Sequence, residues 1–432
     1  MRRVGIRAAI HRTTSRRVAT GLAAAILVLG ALDAALGAQA RPLVIEPGSS
    51  LRISVLTFGP GDAVFERFGH NALRVQDAAT GEDLAYNWGM FSFDEPQFLQ
   101  RFLSGDTRYW VEAFPTPWLL DVYARQDRES LEQVLALTPA QRLQIAAAVR
   151  ANALGENRYY RYDYFLDNCS TRLRDVLDAA LSGSLRARFS TLKTERTFRS
   201  ESVRLTAPAA MAQAGIDVAL GPRADQPLTA WESMFIPMRL RDHLREVTVP
   251  APDGGTRPLV QEEILLHPAA RAAEMPARRG LSLGALGPVL GAWMLLLAPV
   301  AVAGRRRTRI PAAFMAALWY GVTGVLGLAL LGMWVGSAHV FWYENLNLLL
   351  ISPLGLVAAY PVARAILRAQ PDRLSQIAVL ALAGLATFSL LVAPFVDQHL
   401  AGPILLFLPA HLGLAVTYWR HTRAVAPAPL TT

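Results

Sequence analysis

The stretch YRYDYFLDNCSTRLRDVLDAAL, residues 160–181, contains Cys169, the only cysteine among 432 residues. Apolar side chains follow Cys169 at helical spacing: Leu173, Val176, Leu177, Ala180 and Leu181. This spacing predicts an amphipathic helix, and Asn168 is a residue type that commonly caps a helix at its N-terminus. The sequence therefore predicts an unpaired thiol in the first turn of a helix, with Asn168 at the cap.

A thiol at a helix N-terminus has chemical consequences. The helix end carries partial positive charge and free backbone N–H groups, which favour a thiolate and can bind an oxyanion. A nucleophilic thiol also needs a base, and His70 is the best-placed histidine because it starts a predicted strand. His243 and His267 lie in a more irregular segment. From the residues alone, a core cysteine and an activated nucleophile both remain open.

The segment around these residues has the mixed pattern of a soluble α+β domain. Three stretches predict β-strands: residues 51–58, 70–77 and 82–91. Residues 94–104 and 128–153 predict helices, and Thr138-Pro139 marks a helix start inside the second stretch. The motifs typical of zinc sites, serine hydrolases and phosphate loops do not occur, so we predict no metal and no cofactor.

The rest of the chain is organised by its apolar runs. Hydrophobic residues make up 52% of the sequence and charged residues 18%. Five runs are long enough to span a bilayer: 281–303, 311–335, 346–366, 376–396 and 401–419. A basic N-terminus, an apolar stretch and Ala-Gln-Ala at 38–40 are the parts of a secretory signal. We therefore predict four regions: a signal peptide or anchor helix (1–40), a periplasmic domain (41–250), a linker (251–280) and a five-helix transmembrane bundle (281–423).

The positions of the arginines determine the predicted topology. Arginine carries almost all of the positive charge behind the net charge of +9, since Lys193 is the only lysine. Alternate loops contain the arginines: Arg305, Arg306, Arg307 and Arg309, then Arg364, Arg368 and Arg373, then Arg420 and Arg423. The positive-inside rule places these loops and the C-terminus in the cytoplasm and the soluble domain in the periplasm. Topology thus accounts for the basic charge, and we predict an inner-membrane protein that binds no nucleic acid.

One outer loop, SAHVFWYENLNLLL, contains His339, Glu344 and Asn345 at the predicted membrane surface. Its Trp342 and Tyr343 are typical interfacial anchors. The polar residues exceed what anchoring requires, so a contribution to substrate binding is the second interpretation of this loop.

Several segments together resemble a known bacterial family. They are FERFGHNALRV (65–75), YNWGMFSF (86–93), ENRYYRYDYFLDNCSTRLRD (156–175), TFRSES (197–202) and LTAWESMFIPMRL (228–240). In this order they resemble the lipoprotein N-acyltransferase family with an Lnb-type N-terminal periplasmic domain. That family is similar to permuted papain-like (NlpC-like) thiol enzymes, in which the histidine precedes the cysteine. His70 and Cys169 have this order, and relatives of the lecithin:retinol acyltransferase type also place Asn-Cys at a helix start.

The resemblance implies a function and a site. The fold would be a permuted papain-like domain followed by an all-α transmembrane bundle. Cys169, activated by His70, would take an acyl chain from a phospholipid as a thioester and pass it to the N-terminal amine of a diacylglyceryl-lipoprotein. Asn87 is the first choice for the residue that orients His70, ahead of Tyr86 and Glu66. Asn87 and Tyr86 alternate on a strand, so only one of them can face His70.

The remaining site predictions concern substrate binding. The residues predicted for it are Asn168, Tyr86, Arg172, His339, Glu344 and Asn345. Arg67, Arg161 and Arg172 are candidate ligands of a lipid phosphate, and a solvated surface charge is the alternative interpretation of each. For Asp163 and Asn168, helix capping and local hydrogen bonding are the alternative.

Two other functions stay open: a membrane-anchored periplasmic cysteine peptidase or amidase, and a non-catalytic membrane sensor or transporter. Five apolar runs disfavour a wall enzyme, which needs one anchor at most. The runs contain almost no ionisable residues away from their ends, which disfavours a transport pathway.

Overall fold

The computed structural model describes residues 46–271, 286–302 and 306–423, so the predicted signal or anchor segment 1–40 lies outside the described residues. Residues from Ser50 onward form one compact unit that contains both the sheet and the apolar helices.

A seven-stranded sheet is the centre of the soluble domain, with the strand order β6-β4-β3-β2-β1-β5-β9 and antiparallel pairing throughout. The strands are β1 (Leu51–Phe58), β2 (His70–Asp77), β3 (Glu82–Met90), β4 (Arg108–Pro115), β5 (Ser130–Leu135), β6 (Tyr159–Arg161), β7 (Thr248–Pro250), β8 (Thr256–Pro258) and β9 (Val260–His267). Strands β7 and β8 form a separate hairpin.

Nine helices of the soluble domain lie within the described residues. They are α1 (Phe98–Ser104), α2 (Thr116–Arg125), α3 (Pro139–Asn152), α4 (Cys169–Ala180), α5 (Ser184–Phe189), α6 (Phe198–Leu205), α7 (Ala210–Ala219), α8 (Ala230–Ser233) and α9 (Pro237–Leu244). One face of the sheet packs against α3 and α4 in the main core, and the other face packs against α2. The alternation of side chains along each strand divides residues between these faces.

Two predictions of local structure were wrong. Residues 130–135 form β5 rather than the start of a helix, because SLEQVL pairs with β1 on one side and β9 on the other. The helix begins only at Pro139, where the Thr138 side chain accepts a hydrogen bond from the backbone of Gln141. The predicted linker also contains a strand of the central sheet, β9, so the soluble domain extends at least to His267. Sheet pairing, which a linear pattern does not reveal, explains both differences.

The C-terminal region is an all-helical bundle. Within 286–302 and 306–423 the helices are α10 (Leu286–Val302), α11 (Arg306–Gly336), α12 (Leu354–Arg368), α13 (Arg373–Val392) and α14 (Ala401–Arg423). Four segments are long and apolar enough to cross a membrane: Arg309–Gly336, Leu346–Arg368, Arg373–Phe395 and Ala401–Arg420. The first of the five predicted spans is represented by the shorter apolar helix Leu286–Leu296.

One end of the sheet faces the bundle. The strand register brings the first residue of β2, the last residues of β3 and the first residues of β4 to the same end. At this end Arg161 donates to the carbonyl oxygens of Gly105 (3.0 Å) and Ala338 (3.1 Å), and Ala338 lies two residues beyond the end of α11. Residues at this end of the sheet are therefore held close to the end of an apolar helix.

Candidate active site

Cys169 is the first residue of α4, as the sequence predicted, and its thiol is free. The Asn168 side chain caps this helix and uses all of its hydrogen-bonding groups. Its oxygen accepts from the backbone of Ser170 (2.9 Å) and Thr171 (3.0 Å). Its nitrogen donates to the carbonyls of Tyr164 (3.0 Å) and Phe235 (2.9 Å). Asn168 therefore positions the cysteine, and no group of its amide is left for the predicted substrate contact.

His70 begins β2 directly opposite Phe58 of β1, after a sharp turn at Gly69. Gly69 has a φ of +80°, and a Cβ there would lie 2.8 Å from the Phe58 carbonyl oxygen, so only glycine fits. Asn71, which follows His70, links the start of β2 to the start of α4. Its backbone N–H interacts with the Cys169 thiol and lowers the pKa of that thiol.

Asn87 fixes the orientation of the His70 ring. The two side chains lie 3.1 Å apart, between His70 Nε2 and Asn87 Oδ1. The Asn87 nitrogen donates to the Ala85 carbonyl (3.1 Å), so the Asn87 oxygen faces the histidine and accepts a hydrogen bond from its Nε2–H. This arrangement places the imidazole hydrogen on Nε2 and leaves Nδ1 with a free lone pair. Nδ1 is then the nitrogen that can act as a base.

An aromatic ring and a buried arginine complete the surroundings of His70. Tyr123 stacks on Phe58 with ring centres 3.7 Å apart, and its ring centre lies 6.2 Å from that of His70. The Arg128 guanidinium lies over the Tyr123 ring at 4.6 Å and donates to the carbonyl of Gly59 at 2.8 Å. Arg128 also pairs with Glu66 at 3.6 Å, so Glu66 does not serve as the partner of His70.

Burial decides the charge state of both candidate catalytic groups. Burial raises the pKa of Cys169 to about 11, although backbone N–H groups and the charge of Arg128 act in the opposite direction. Burial and Arg128 together lower the pKa of His70 to about 4, against the hydrogen bond that His70 donates to Asn87. The helix end does favour a thiolate, as expected, but desolvation outweighs it. At neutral pH the site holds a thiol and a neutral imidazole.

Two tyrosines of the segment 160–164 lie near the Cys169 thiol. Tyr160 and Tyr162 lie close enough to Cys169 for a thiolate there to disfavour their ionisation, and burial raises the pKa of both further. Tyr162 in turn stacks on Tyr109 with ring centres 4.5 Å apart. The rings of Tyr160 and Tyr162 thus lie on one side of a thiol that is itself buried.

Several predicted residues contact groups other than His70 and Cys169. Tyr86 points into the main core on the opposite face of β3 from Asn87, as strand alternation required. Arg172 pairs with Asp167 at 2.7 Å and lies over the Tyr160 ring at 4.2 Å. The Asp163 side chain accepts a hydrogen bond from the backbone N–H of Phe165 at 2.8 Å. This is the local hydrogen bonding that was the alternative to a role of Asp163 in the site. Tyr86 is 2% exposed, so its side chain packs in the core rather than on the surface.

The predicted substrate residues of the outer loop hold the soluble domain and the bundle together. His339 contacts the Phe102 carbonyl through Nε2 at 2.7 Å. The Asn345 amide donates to the carbonyls of Val218 (2.9 Å) and Ala219 (2.8 Å) and is buried. Glu344 has a φ of +54° at the turn before Asn345. Contacts between the domains thus occupy Nε2 of His339 and the side-chain amide of Asn345.

Three residues close to the candidate pair were not predicted: Asn71, Tyr123 and Arg128. Arg128 lies in the charged run RQDRES, which has the pattern of a solvent-exposed loop, yet its side chain is buried. Asn71 follows His70 directly and donates from its side chain to Thr57 at 2.9 Å. Among the described residues, no cluster of three or more potential metal ligands occurs.

Alkylation of the single cysteine tests the charge state of the thiol. With a pKa of about 11, the rate of iodoacetamide modification should rise about tenfold per pH unit from about pH 8 to 10, because only the thiolate reacts. Intact-protein mass spectrometry measures the single adduct, and glutathione is the control because its rate levels off at lower pH. A Cys169 rate that is already constant at pH 8 would contradict the raised pKa.

Comparison with known protein families gives two matches along the chain. Residues 45–203 match the model described as Lnb N-terminal periplasmic domain, and residues 282–423 match the Lnb transmembrane domain. None of the curated proteins and none of the solved structures compared with the chain matches it. The first match includes Cys169, His70 and Asn87, and the second includes the apolar helices described for the bundle.

Proposed function

The chain belongs to the Lnb family, and on that premise we propose that it is a thiol-dependent N-acyltransferase of lipoproteins. The acyl donor is a phospholipid, and the acceptor is the N-terminal amine of a diacylglyceryl-lipoprotein. The observation that carries the proposal is the hydrogen bond between His70 and Asn87, which leaves Nδ1 free as a base beside the helix that starts with Cys169. The order of these residues along the chain supports a permuted papain-like domain.

In the first half-reaction, His70 Nδ1 takes the proton of the Cys169 thiol as the sulfur attacks the donor ester carbonyl. Proton transfer within the pair avoids a resting charge, which fits a thiol and an imidazole that are both held neutral by burial. The imidazolium then gives the proton to the departing glycerol oxygen. The products are a lysophospholipid and a thioester on Cys169.

In the second half-reaction, the lipoprotein amine attacks the thioester carbonyl. His70 accepts a proton from the amine, the carbon–sulfur bond breaks, and the thiolate is reprotonated from the imidazolium. An amide bond replaces the thioester and the enzyme returns to its starting state. The burial of Cys169 supports this order, because a site that admits little water protects the thioester from hydrolysis.

Backbone N–H groups at the start of α4 are candidates for stabilising the oxyanion in both steps. Those of Ser170 and Thr171 are already bound by the Asn168 side chain. The N–H groups that approach the thiol from Cys169 itself and from Asn71 are therefore the ones we assign to this role.

The location of the site supports substrates that reside in the membrane. His70 lies at the end of the sheet that faces the bundle, where Arg161 contacts Ala338 beyond the end of α11. The proposal includes the inner membrane as the location, with the soluble domain in the periplasm and the C-terminus in the cytoplasm, in accordance with the arginine-rich loops.

Reconstitution tests the proposed function. The purified full chain is placed in vesicles of phosphatidylethanolamine and phosphatidylglycerol with a synthetic diacylglyceryl-lipopeptide that has a free N-terminal amine. We expect the lipopeptide to gain the mass of one acyl chain while a lysophospholipid appears. Cleavage of the peptide without acyl gain would instead indicate a peptidase, and no change in lipopeptide or phospholipid would refute the acyltransferase.

Replacement of Asn87 tests how the base is oriented. In Asn87→Ala the Nε2 hydrogen loses its acceptor, so we expect kcat/KM to fall roughly 100-fold. In Asn87→Asp a carboxylate lies beside the imidazole and raises its pKa. The acid limb of kcat/KM, expected at about pH 4 in the wild type because a protonated His70 cannot act as a base, should move to higher pH.

The exposed Asn157, in the same domain, provides the matched control, and Asn157→Ala should retain wild-type kcat/KM at every pH. If Asn87→Ala shows the same kcat/KM as Asn157→Ala, the hydrogen bond to His70 has no role in catalysis.

A further inference from the structure

Large apolar side chains are exposed in one area of the soluble domain, which we call the apolar ledge. Its residues come from the turn before His70 and from the segment that ends in α1: Val64, Phe65, Phe93, Leu99, Phe102 and Leu103, with exposed fractions from 37% to 67%. Leu99, Phe102 and Leu103 recur at positions i, i+3 and i+4, so they share one face of α1. An exposed apolar area of this kind marks an interaction surface.

Aromatic contacts join the parts of the ledge into one surface. Phe91 lies beneath it, with its ring centre 5.6 Å from that of Phe65 and 5.0 Å from that of Phe93. Phe93 contacts Phe98 at 5.1 Å, and Phe98 contacts Phe102 at 6.2 Å. These contacts place Phe65, Phe93 and Phe102 on one continuous surface.

The ledge is attached to the end of a membrane-spanning helix. The backbone N–H of Ala338, two residues beyond α11, donates to the Ser104 carbonyl at 2.9 Å. Gly105 has a φ of +78°, and a Cβ there would lie 3.0 Å from the backbone nitrogen of Ala338. This close approach, together with the contact of His339 with the Phe102 carbonyl, holds α1 at the level where the apolar helix ends.

The one charged side chain of α1 is paired with nearby carboxylates. Arg101, the basic residue of α1, pairs with Glu95 at 3.0 Å and with Asp106 at 3.2 Å. A paired arginine does not oppose burial of the neighbouring apolar side chains in the way that an isolated charge would.

We propose that the apolar ledge inserts into the periplasmic surface of the bilayer, among phospholipid head groups and the first acyl carbons. The argument is its continuity with the span Arg309–Gly336, which fixes its depth, together with the pairing of Arg101 and the apolar face of α1. The inserted ledge holds the soluble domain against the lipid surface.

The ledge also leads toward the candidate catalytic residues. Phe65 belongs to the turn that precedes Gly69 and His70. Phe91 stacks on Tyr109 at 5.0 Å, and Tyr109 stacks on Tyr162, one of the tyrosines close to Cys169. An inserted ledge therefore brings the ester groups of phospholipids next to the thiol. Only this last step rests on the proposed function.

Fluorescence in lipid nanodiscs tests insertion without using activity. A polarity-sensitive probe is attached to Leu103→Cys in the full chain carrying Cys169→Ala, in discs of phosphatidylethanolamine and phosphatidylglycerol. Leu143→Cys is the matched control, because both leucines are helical and similarly exposed, 47% and 42%. Leu143 lies beside Arg142, which contacts the Leu51 carbonyl at the end of the sheet away from the bundle.

We expect the Leu103 probe to emit at shorter wavelength, to be quenched by lipids carrying a nitroxide near the head group, and to resist a water-soluble quencher. The Leu143 probe should behave in the opposite way. Equal access of the aqueous quencher to both probes would overturn the proposal. Protection of the Leu103 probe without quenching by the lipid nitroxide would also overturn it, because a protein would then cover the ledge.

A kinetic measurement tests whether insertion of the ledge promotes acyl transfer at Cys169. Leu103→Asp should lower acyl transfer from vesicle phospholipid about tenfold relative to Leu143→Asp, since a carboxylate opposes insertion. Transfer from a water-soluble short-chain donor should not differ between the two variants, and an equal loss with both donors would overturn the link. A chain that shows insertion but no acyl transfer in any variant would contradict the proposed function alone.

Discussion

Replacing Cys169 by serine should lower acyl transfer by roughly three to six orders of magnitude while leaving the fold intact, as is typical when a nucleophile is removed. A serine hydroxyl is a much weaker acid than a thiol. Its base here would be an imidazole with a pKa lowered to about 4, which accepts a proton from an alcohol poorly. The thioester is also replaced by a less reactive ester, so both half-reactions slow.

The fold should survive because the change is nearly isosteric. Cys169 is 8% exposed, and the cap that starts α4 is made by Asn168 rather than by the cysteine. Wild-type circular dichroism and an unchanged unfolding temperature would show that lost activity is not lost structure. Cys169→Ala removes every nucleophilic atom and sets the background rate.

The measurement is the yield of N-acylated lipopeptide by mass spectrometry, with trapping of the acyl-enzyme by hydroxylamine. The wild type should carry an acyl mass that hydroxylamine removes, and Cys169→Ala should carry none. Acyl transfer by Cys169→Ala at a rate comparable to that of the wild type would refute the covalent mechanism. His70→Gln, which removes the base, should lower the rate roughly 10²- to 10⁴-fold.

The sequence predicts local structure well where a single element determines it. The helix from Cys169 and the strands that start at Leu51, His70 and Glu82 follow from apolar spacing and turn residues. Strand β5 was missed because SLEQVL owes its conformation to β1 and β9, and β9 was assigned to a linker for the same reason. Pairing between distant segments is outside the reach of a local pattern.

In the candidate site too, the sequence predicts the features that one local element determines and misses those that depend on distant segments. The approach of His70 to the start of α4 came from family resemblance and not from spacing, because the two residues are far apart in the chain. The pKa of Cys169 depends on burial by other segments, which its own neighbours in the chain do not reveal. Arg128 was overlooked since a charged run predicts exposure, whereas here the guanidinium is held over Tyr123.

Replacing Arg199 by methionine should destabilise the chain by about 3–5 kcal/mol, the cost typical of breaking a buried ion pair. Arg199 is 2% exposed. It pairs with Asp225 at 2.8 Å and with Asp217 at 3.1 Å, and it donates to the Leu220 carbonyl at 2.7 Å. Methionine fills a similar volume but leaves both carboxylates without their cation.

The expected loss extends to the contact between the soluble domain and the bundle. The segment that Arg199 organises makes several hydrogen bonds to the bundle loops. Gly221 donates to the Phe341 carbonyl at 2.7 Å, and Gln398 donates to the Leu220 carbonyl at 3.3 Å. Asn345 donates to the carbonyls at the end of α7. Without Arg199 this segment should open, and limited proteolysis should cut it between α6 and α8.

Thermal unfolding of the full chain in detergent, with and without protease, measures both effects. Arg188→Met is the matched control, because Arg188 is exposed and its guanidinium lies over the Phe189 ring at 5.4 Å. This control variant should unfold at nearly the wild-type temperature and should resist the protease as the wild type does.

Measuring stability at acid pH distinguishes the electrostatic part of the stability loss in Arg199→Met from the part due to lost packing. Burial raises the pKa of Asp217 while Arg199 lowers it, so loss of Arg199 raises that pKa further. Because a protonated Asp217 needs no cation, the stability deficit of Arg199→Met relative to the wild type should shrink as the pH falls. A deficit that is absent at neutral pH, or that grows on acidification, would show that Arg199 does not hold this segment through its charge.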